Sequence, residues 1–281
     1  MRLPFKSMAL VVGFGLLALG AVSFTVPKGY AKLPVTFSPV SNIKVTVKQQ
    51  GNNVIAVLPG GKTQALGELP DVPEGGMEID SLIIQADFNF DGMGDVGLLE
   101  GVGYGGVNMF YRLYLWDKTT SKFQDFAKEI SNPTLTTATK TLNSAQRSGP
   151  RWYTTDYRFT NGKPYTWMET VVVSPEGDLY HAKIYKPDGK LLKTLVAATE
   201  DPAEINEKTP PAIRKILPAK APLYDKPDAD SKTRMYVIKG DKVELLDYSG
   251  DTGEEWFRIR YKGSRVVEKW VEASAILAGA Q

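Results

Sequence analysis

The sequence has no cysteine and a single histidine, His181, in 281 residues. The first absence excludes disulfides, thiolate zinc sites, cysteine nucleophiles and a lipidated N-terminal cysteine. The second removes most catalytic and metal constellations. Net charge is scarce too: 34 Lys and Arg face 32 Asp and Glu, and Arg2 and Lys6 account for the excess. A body with no net positive charge does not displace counterions from a polyphosphate, so no nucleic-acid partner is expected. The sequence also lacks Gly-x-Ser-x-Gly, His-Glu-x-x-His and any triad candidate. Paired carboxylates can run glycoside hydrolysis without His or Cys, but no acidic pair sits in a recognisable setting. The expectation is a binding protein and not an enzyme. His181 lies in an alternating strand pattern, Leu179-Tyr180-His181-Ala182-Lys183, and reads as a polar-face residue.

What is present is globular: 42% hydrophobic and 23% charged residues, enough for one large domain or two ordinary ones. The chain opens with Arg2 and Lys6, followed by the uncharged run Met8 to Phe24. A basic stretch before an apolar run is the pattern of a secretory signal peptide. Small residues Ala21 and Ser23, or Gly29 and Ala31, offer cleavage points. The alternative is an uncleaved membrane anchor. Residues 1–31 are therefore read as signal peptide or anchor. In both cases the remainder faces away from the cytoplasm, as in a periplasmic or otherwise exported protein, with an inner-membrane tether in the anchor case.

Residues 32–198 alternate short apolar runs with Gly, Asn and Asp turns, which predicts an all-β domain. Expected strands include Ile43–Val47, Val54–Leu58, Leu82–Ala86, Val96–Leu99, Phe110–Trp116, Thr155–Phe159, Tyr165–Val173 and Leu179–Tyr185. Asn161-Gly162, Glu176-Gly177 and Asp188-Gly189 are turn dipeptides between strands. Phe123–Ile130 is expected as one short helix. The regular spacing predicts an antiparallel meander, a sandwich or a propeller-like sheet. Residues 199–220 are rich in Pro, which disfavours a sheet interior and predicts an extended linker. Residues 221–281 read as several short strands and predict a small barrel.

The most specific local chemistry is the acidic loop Asp87-Phe88-Asn89-Phe90-Asp91-Gly92-Met93-Gly94-Asp95. Oxygen-bearing side chains stand at relative positions 1, 3, 5 and 9, with Gly at position 6 and the Met93 carbonyl at position 7. Ca²⁺ takes six to eight oxygens, and this register lets one tight loop supply most of them. Leu98 stands where an EF-hand has Glu, and the flanks are strand-like. The expectation is a structural calcium site of Asp87, Asn89, Asp91, Met93 and Asp95, like the calcium loops between strands of integrin-type β-propeller repeats. The other reading is a polar β-turn without metal.

Four segments carry a resemblance over the stretch from Leu82 to about Lys190. They are the acidic loop, Gly101-Val-Gly103-Tyr104-Gly105-Gly106, Tyr111-Arg-Leu-Tyr114-Leu-Trp116-Asp117, and Ser148-Gly149-Pro-Arg-Trp152-Tyr153. With these the stretch resembles periplasmic β-rich proteins related to bacterial lysozyme inhibitors. Some members of that family are immunity proteins against cell-wall-degrading effectors of secretion systems. The resemblance implies that a loop over 146–153, bearing Ser148, Gly149, Trp152 and Tyr153, enters a partner enzyme's cleft. Read from the residues alone, Trp152 and Tyr153 either anchor a partner or start a strand and pack inward. The Gly101–Gly106 run lacks the Lys-Ser/Thr of a phosphate loop and is expected to be a flexible surface loop.

The C-terminal segment carries Ala221-Pro-Leu223-Tyr224, Lys239-Gly240-Asp241-Lys-Val243-Glu-Leu245-Leu246, Trp256-Phe-Arg258-Ile259 and Trp270-Val271. It resembles bacterial SH3-like domains, which implies a small barrel binding peptidoglycan peptides or proteins. Trp256, Tyr261 and Trp270 are the candidates for a peptide groove. Core packing is the alternative, favoured for Trp256 and Trp270 because a small barrel has few other large residues to fill it. Two functions stand side by side: inhibition of a wall-active or envelope-active enzyme through the N-terminal domain, and a peptidoglycan-binding adaptor through the SH3-like domain.

Overall fold

A computed structural model describes residues 24–25, 33–69, 82–199, 201–250 and 254–278. The signal or anchor segment lies outside the described residues apart from Phe24–Thr25. No helix among them is long and apolar enough to cross a membrane. The fold is all-β and every strand pairing is antiparallel.

Strand β1 (Phe24–Thr25) pairs with a later sheet. Strands β2 (Val35–Phe37), β3 (Val45–Gln50), β4 (Asn53–Val57) and β5 (Thr63–Glu68) form a first four-stranded meander. Strands β6 (Ile83–Ala86), β7 (Asp95–Gly103), β8 (Asn108–Asp117) and β9 (Lys122–Ser131) form a second. Strands β10 (Thr134–Thr136), β11 (Thr141–Ser148), β12 (Arg151–Thr160), β13 (Lys163–Val172), β14 (Leu179–Tyr185) and β15 (Leu191–Ala198) continue in order, and β1 joins them beside β10 to make seven strands. Turn chemistry sets these connections. At Asn161-Gly162 both residues have positive φ, 52° and 72°, as a type I′ hairpin turn requires.

The three sheets stack in chain order. Val45, Val47, Val54 and Leu66 of the first pack on Ile83, Val96, Leu98 and Trp116 of the second. The opposite face of that second sheet presents Ile84, Leu99, Leu113 and Ile130 to Leu135, Leu142 and Tyr157 of the third. The middle sheet is thus covered on both sides, so Asp95–Leu99 is buried throughout rather than alternately. The same double coverage corrects the helix expected at Phe123–Ile130. Phe123 serves one core and Phe126 and Ile130 the other, so the apolar spacing mimics a helix. Ala127, at φ 58°, marks the irregularity where β9 shifts register against β8.

Strands β16 (Ile213–Lys215), β17 (Lys220–Tyr224), β18 (Lys232–Ile238), β19 (Lys242–Ser249), β20 (Trp256–Lys262) and β21 (Val266–Glu272) form the last sheet, in the order β16-β19-β20-β21-β17-β18. The expected barrel is not closed: β16 and β18 are the ends of an open order. Its apolar face does not need closure, because Leu245, Phe257, Ile259 and Val271 share one core with Val173, Leu179 and Val196 of the seven-stranded sheet.

Residues 199–220 are accordingly not a free linker. Ile205 is buried against Trp167, Ile184 and Leu195. Full burial of such a side chain contributes about 2 kcal/mol. Ala212 then bridges the two sheets through its backbone: its N–H donates to Val196 O at 2.7 Å and its carbonyl accepts from Leu245 N–H at 2.8 Å. Pro210 and Pro211 sit between these anchoring points, and Ile213–Lys215 adds a strand.

Candidate functional site

The segment expected as an insertion loop is a hairpin tip. Ser148 pairs with Arg151, Arg147 with Trp152 and Gln146 with Tyr153. Gly149-Pro150 are the two central residues. Gly149 has φ 59°, the left-handed position that a type II′ turn places first and that glycine fills without strain. Ser148 and Gly149 are exposed. Trp152 and Tyr153 do begin a strand, but they do not pack inward: each is 42% exposed. Successive strand residues point to opposite faces, so the tip carries one aromatic ring on each side.

The tip is braced from both faces. Tyr104 Oη donates to Gly149 O at 2.5 Å, and Asn108 exchanges two hydrogen bonds with the Arg147 backbone at 2.9 and 2.8 Å. The Arg147 guanidinium lies 5.4 Å from the Tyr104 ring centroid. Across the strand Arg151 donates to Tyr248 Oη at 2.5 Å and pairs with Glu255 of the last sheet. The Gly101–Gly106 run is therefore not a free surface loop. Gly101–Gly103 belong to β7, and Tyr104–Gly106 make the tight turn into β8 that aims Tyr104 at the tip. The supporting roles of Tyr104, Asn108 and Arg151 are not visible in the sequence spacing. The sequence signal at Asn108 is an amide opening the apolar run 109–116, which once buried needs the backbone partners it finds.

The acidic loop connects β6 to β7 and folds on its own N–H groups. Asp87 accepts from Asp91 N–H at 3.0 Å and Gly92 N–H at 2.8 Å, and Asp91 accepts from Met93 N–H at 2.9 Å and Asn89 Nδ2 at 2.8 Å. Phe90 and Gly92 take positive φ, 59° and 85°, to make the turn. Asp95 differs from the others. It is fully buried, and its two oxygens accept from Phe88 N–H and Trp116 N–H, both at 2.8 Å. Burial pushes its carboxyl up to about 8; the two N–H donors act against that shift, and the charges of Asp91 and Asp87 add to it. Burial also raises Asp87, with Asp91 adding repulsion. Among the described residues, no three acidic or histidine side chains converge into a metal-holding group. Asp87, Asn89 and Asp91 lie in the turn itself, while Asp95 is its anchor to β8.

The three groove candidates of the last sheet do not meet. Trp256 is 2% exposed, with its ring 4.8 Å from Tyr224 in an edge-to-face pair, and its indole N–H is buried without an acceptor. It is a core residue. Trp270 is half-buried and pairs with Arg258, two residues along from Trp256 and so on the same face. Tyr261 is five residues from Trp256 and so on the opposite face, against the shared core. The spacing could not show this, because parity along a strand decides the face.

No protein-family model and no curated protein matches the sequence. The fold aligns with a solved structure of a Xanthomonas type IV secretion system related protein at 19% identity, covering 59% of this chain and 97% of that one with a TM-score of 0.38, a level of likeness that assigns no function to this chain.

Proposed function

We propose that the protein is an exported, calcium-stabilised binding protein that blocks a wall-active or envelope-active enzyme by inserting the β11–β12 tip into its cleft. The observation that carries this reading is the pair Trp152 and Tyr153, both half in solvent and on opposite faces of one rigid hairpin. A flat partner could touch only one ring. A cleft grips both. The braces from Tyr104, Asn108 and Arg151 fix the tip before binding, so little conformational entropy is lost on association. Export rests on the basic-then-apolar N-terminal pattern.

The test is calorimetric titration of the full chain against purified peptidoglycan-cleaving enzymes, with activity measured in parallel. Inhibition of at least one, with Trp152→Ala and Tyr153→Ala each costing about 2–4 kcal/mol of binding, is the expected result. Binding that survives both replacements places recognition elsewhere. The adaptor reading has less to stand on: of its three aromatics only Trp270 lies on an accessible face without being fully buried.

Calcium in this reading is held by Asp87, Asn89, Asp91 and the Met93 carbonyl, and its chemistry is neutralisation of carboxylates that otherwise repel. A Kd of about 10⁻⁵ to 10⁻³ M suits an extracytoplasmic site. Calcium at about one hundred times Kd should stabilise the fold by about 2.7 kcal/mol. A melting temperature that does not respond to calcium, in the native chain as in Asp91→Ala, removes the ion from the proposal.

A further inference from the structure

Beside the acidic loop lies an open cleft of about 570 Å³, between the loop tip, the turn Thr137–Lys140 and the β12–β13 hairpin. That volume falls within the roughly 300–1,000 Å³ of small-molecule sites. We infer that this cleft binds a sugar acid, a saccharide ring bearing a carboxylate, with the carboxylate held by Arg158 and Lys140.

Arg158 is the anchor. Its guanidinium stacks 3.3 Å from the Trp167 ring centroid, and its Nε donates to Thr141 Oγ1 at 3.2 Å. No carboxylate of the described residues lies in ion-pair contact with it. Burial accordingly pulls its pKa down: the charge has lost water and gained only distant compensation from Tyr165, Glu207 and Asp156. A planar cation fixed by stacking, with its Nη edge uncommitted, is pre-organised for a bidentate carboxylate. Lys140 closes the turn in a left-handed conformation at φ 50°, is exposed, and has no side-chain partner among the described residues. It supplies a second, mobile cation at the same mouth.

The facing wall has the opposite chemistry. Asn89 and Asp91 present an amide and a carboxylate, which accept from hydroxyls and repel a second anionic group. Phe159, its ring packed edge-on to Phe90 at 6.5 Å, and Tyr165 add aromatic residues to the lining. One anionic substituent, several hydroxyls and an apolar C–H face together describe a sugar acid. A free phosphate would use the cations, meet Asp91 unfavourably and leave the rings idle. The carboxylate can come from a uronic acid or from a lactyl ether on an amino sugar, and the shared chemistry is what the cleft reads.

The experiment is NMR titration of the full exported chain in calcium-free buffer with glucuronic acid, N-acetylmuramic acid, glucose and inorganic phosphate. The absence of calcium and of any protein partner keeps the outcome separate from the proposed function. At least one sugar acid should bind, shifting cleft resonances, with glucose and phosphate about tenfold weaker or worse. Which acid binds identifies the source. Arg158→Gln should weaken binding by about tenfold and Lys140→Glu should abolish it, while Trp152→Ala leaves it unchanged. If Arg158→Gln does not fold, Lys140→Glu decides, since that side chain is exposed and partnerless. Glucose or phosphate binding as well as the acids, no acid binding, or acid binding unchanged in Lys140→Glu each overturns the inference.

Discussion

His181 Nε2 donates to Asp247 Oδ1 at 2.8 Å, joining β14 of the seven-stranded sheet to β19 of the last one. The chain's single histidine thus ties the two halves together across their seam. Burial works against the Asp247 carboxylate, but the His181 hydrogen bond and the Tyr248 N–H outweigh it and hold its pKa below the ordinary value. A depressed carboxylate contributes stability that is present above its unfolded pKa and lost as pH falls through the folded one. Asp247→Asn should therefore flatten the loss of stability in acid, below about pH 4. Urea unfolding from pH 6 to pH 2.5 reads this, and two parallel curves for native chain and variant would contradict it.

Asp156 carries the opposite sign. Burial raises its carboxyl to about 6, against the hydrogen bond from Asn143 Nδ2 at 2.7 Å. The folded state then holds a proton that the unfolded state has released. Its contribution is complete in acid below the unfolded pKa and declines as pH rises through about 6. Asp156→Asn keeps an acceptor for Asn143 and removes the buried charge. The variant should gain about 1–3 kcal/mol over the native chain at pH 7.5, and the gain should shrink toward zero at pH 4. A pH-independent difference between the two would rule this account out.

Asp95→Asn tests the loop anchor. The replacement keeps the shape but turns one of the two acceptors into a donor facing Phe88 N–H or Trp116 N–H. At pH 6, below the folded pKa of about 8, the native carboxyl is protonated and the replacement relieves no buried charge, so leaving one buried N–H unsatisfied should cost about 1–3 kcal/mol, with calcium or without it. Denaturant midpoints measured with calcium and with a chelator should fall by the same amount.

Separating the two halves should fail. Ending the chain at Ala198 would expose Val173, Leu179 and Val196 and remove the Ile205 plug. The fragment should show no cooperative melt, whereas the full chain should melt in one calorimetric transition. Two transitions, or a fragment that melts sharply, would show that the shared core is not continuous.

Much of the fold was legible because alternation and turn dipeptides report directly on half-buried antiparallel strands. Asn161-Gly162 and the run from Phe110 to Trp116 are examples. Legibility failed where a second sheet covers the outer face. Phe123, Phe126 and Ile130 look helical only because each face of β9 has its own core. It failed again at residues 199–220, where proline density concealed Ile205, Ala212 and Ile216, whose burial depends on sheets distant in sequence. At the tip, Trp152 and Tyr153 were identifiable as aromatics beside a turn. Their opposite faces, and the bracing by Tyr104, Asn108 and Arg151, required the register of three strands.

The middle sheet, buried on both faces along Asp95–Leu99, sets the order in which the molecule comes apart. At Gly97 an added Cβ would lie 2.6 Å from Ile84 Cγ1 and 2.8 Å from Leu113 Cδ2, so that face tolerates no extra methyl and Gly97→Ala should lose about 1–3 kcal/mol by overpacking. A β-meander usually trades deuterium through its solvated side; here solvent reaches the amides of β7 only after a neighbouring sheet has lifted away. Those of Val96 to Leu99 should exchange only in global unfolding, and the outer strands earlier. The acidic loop and the hairpin tip both hang from this slow-opening unit, so the two exposed chemistries of the protein share one clock.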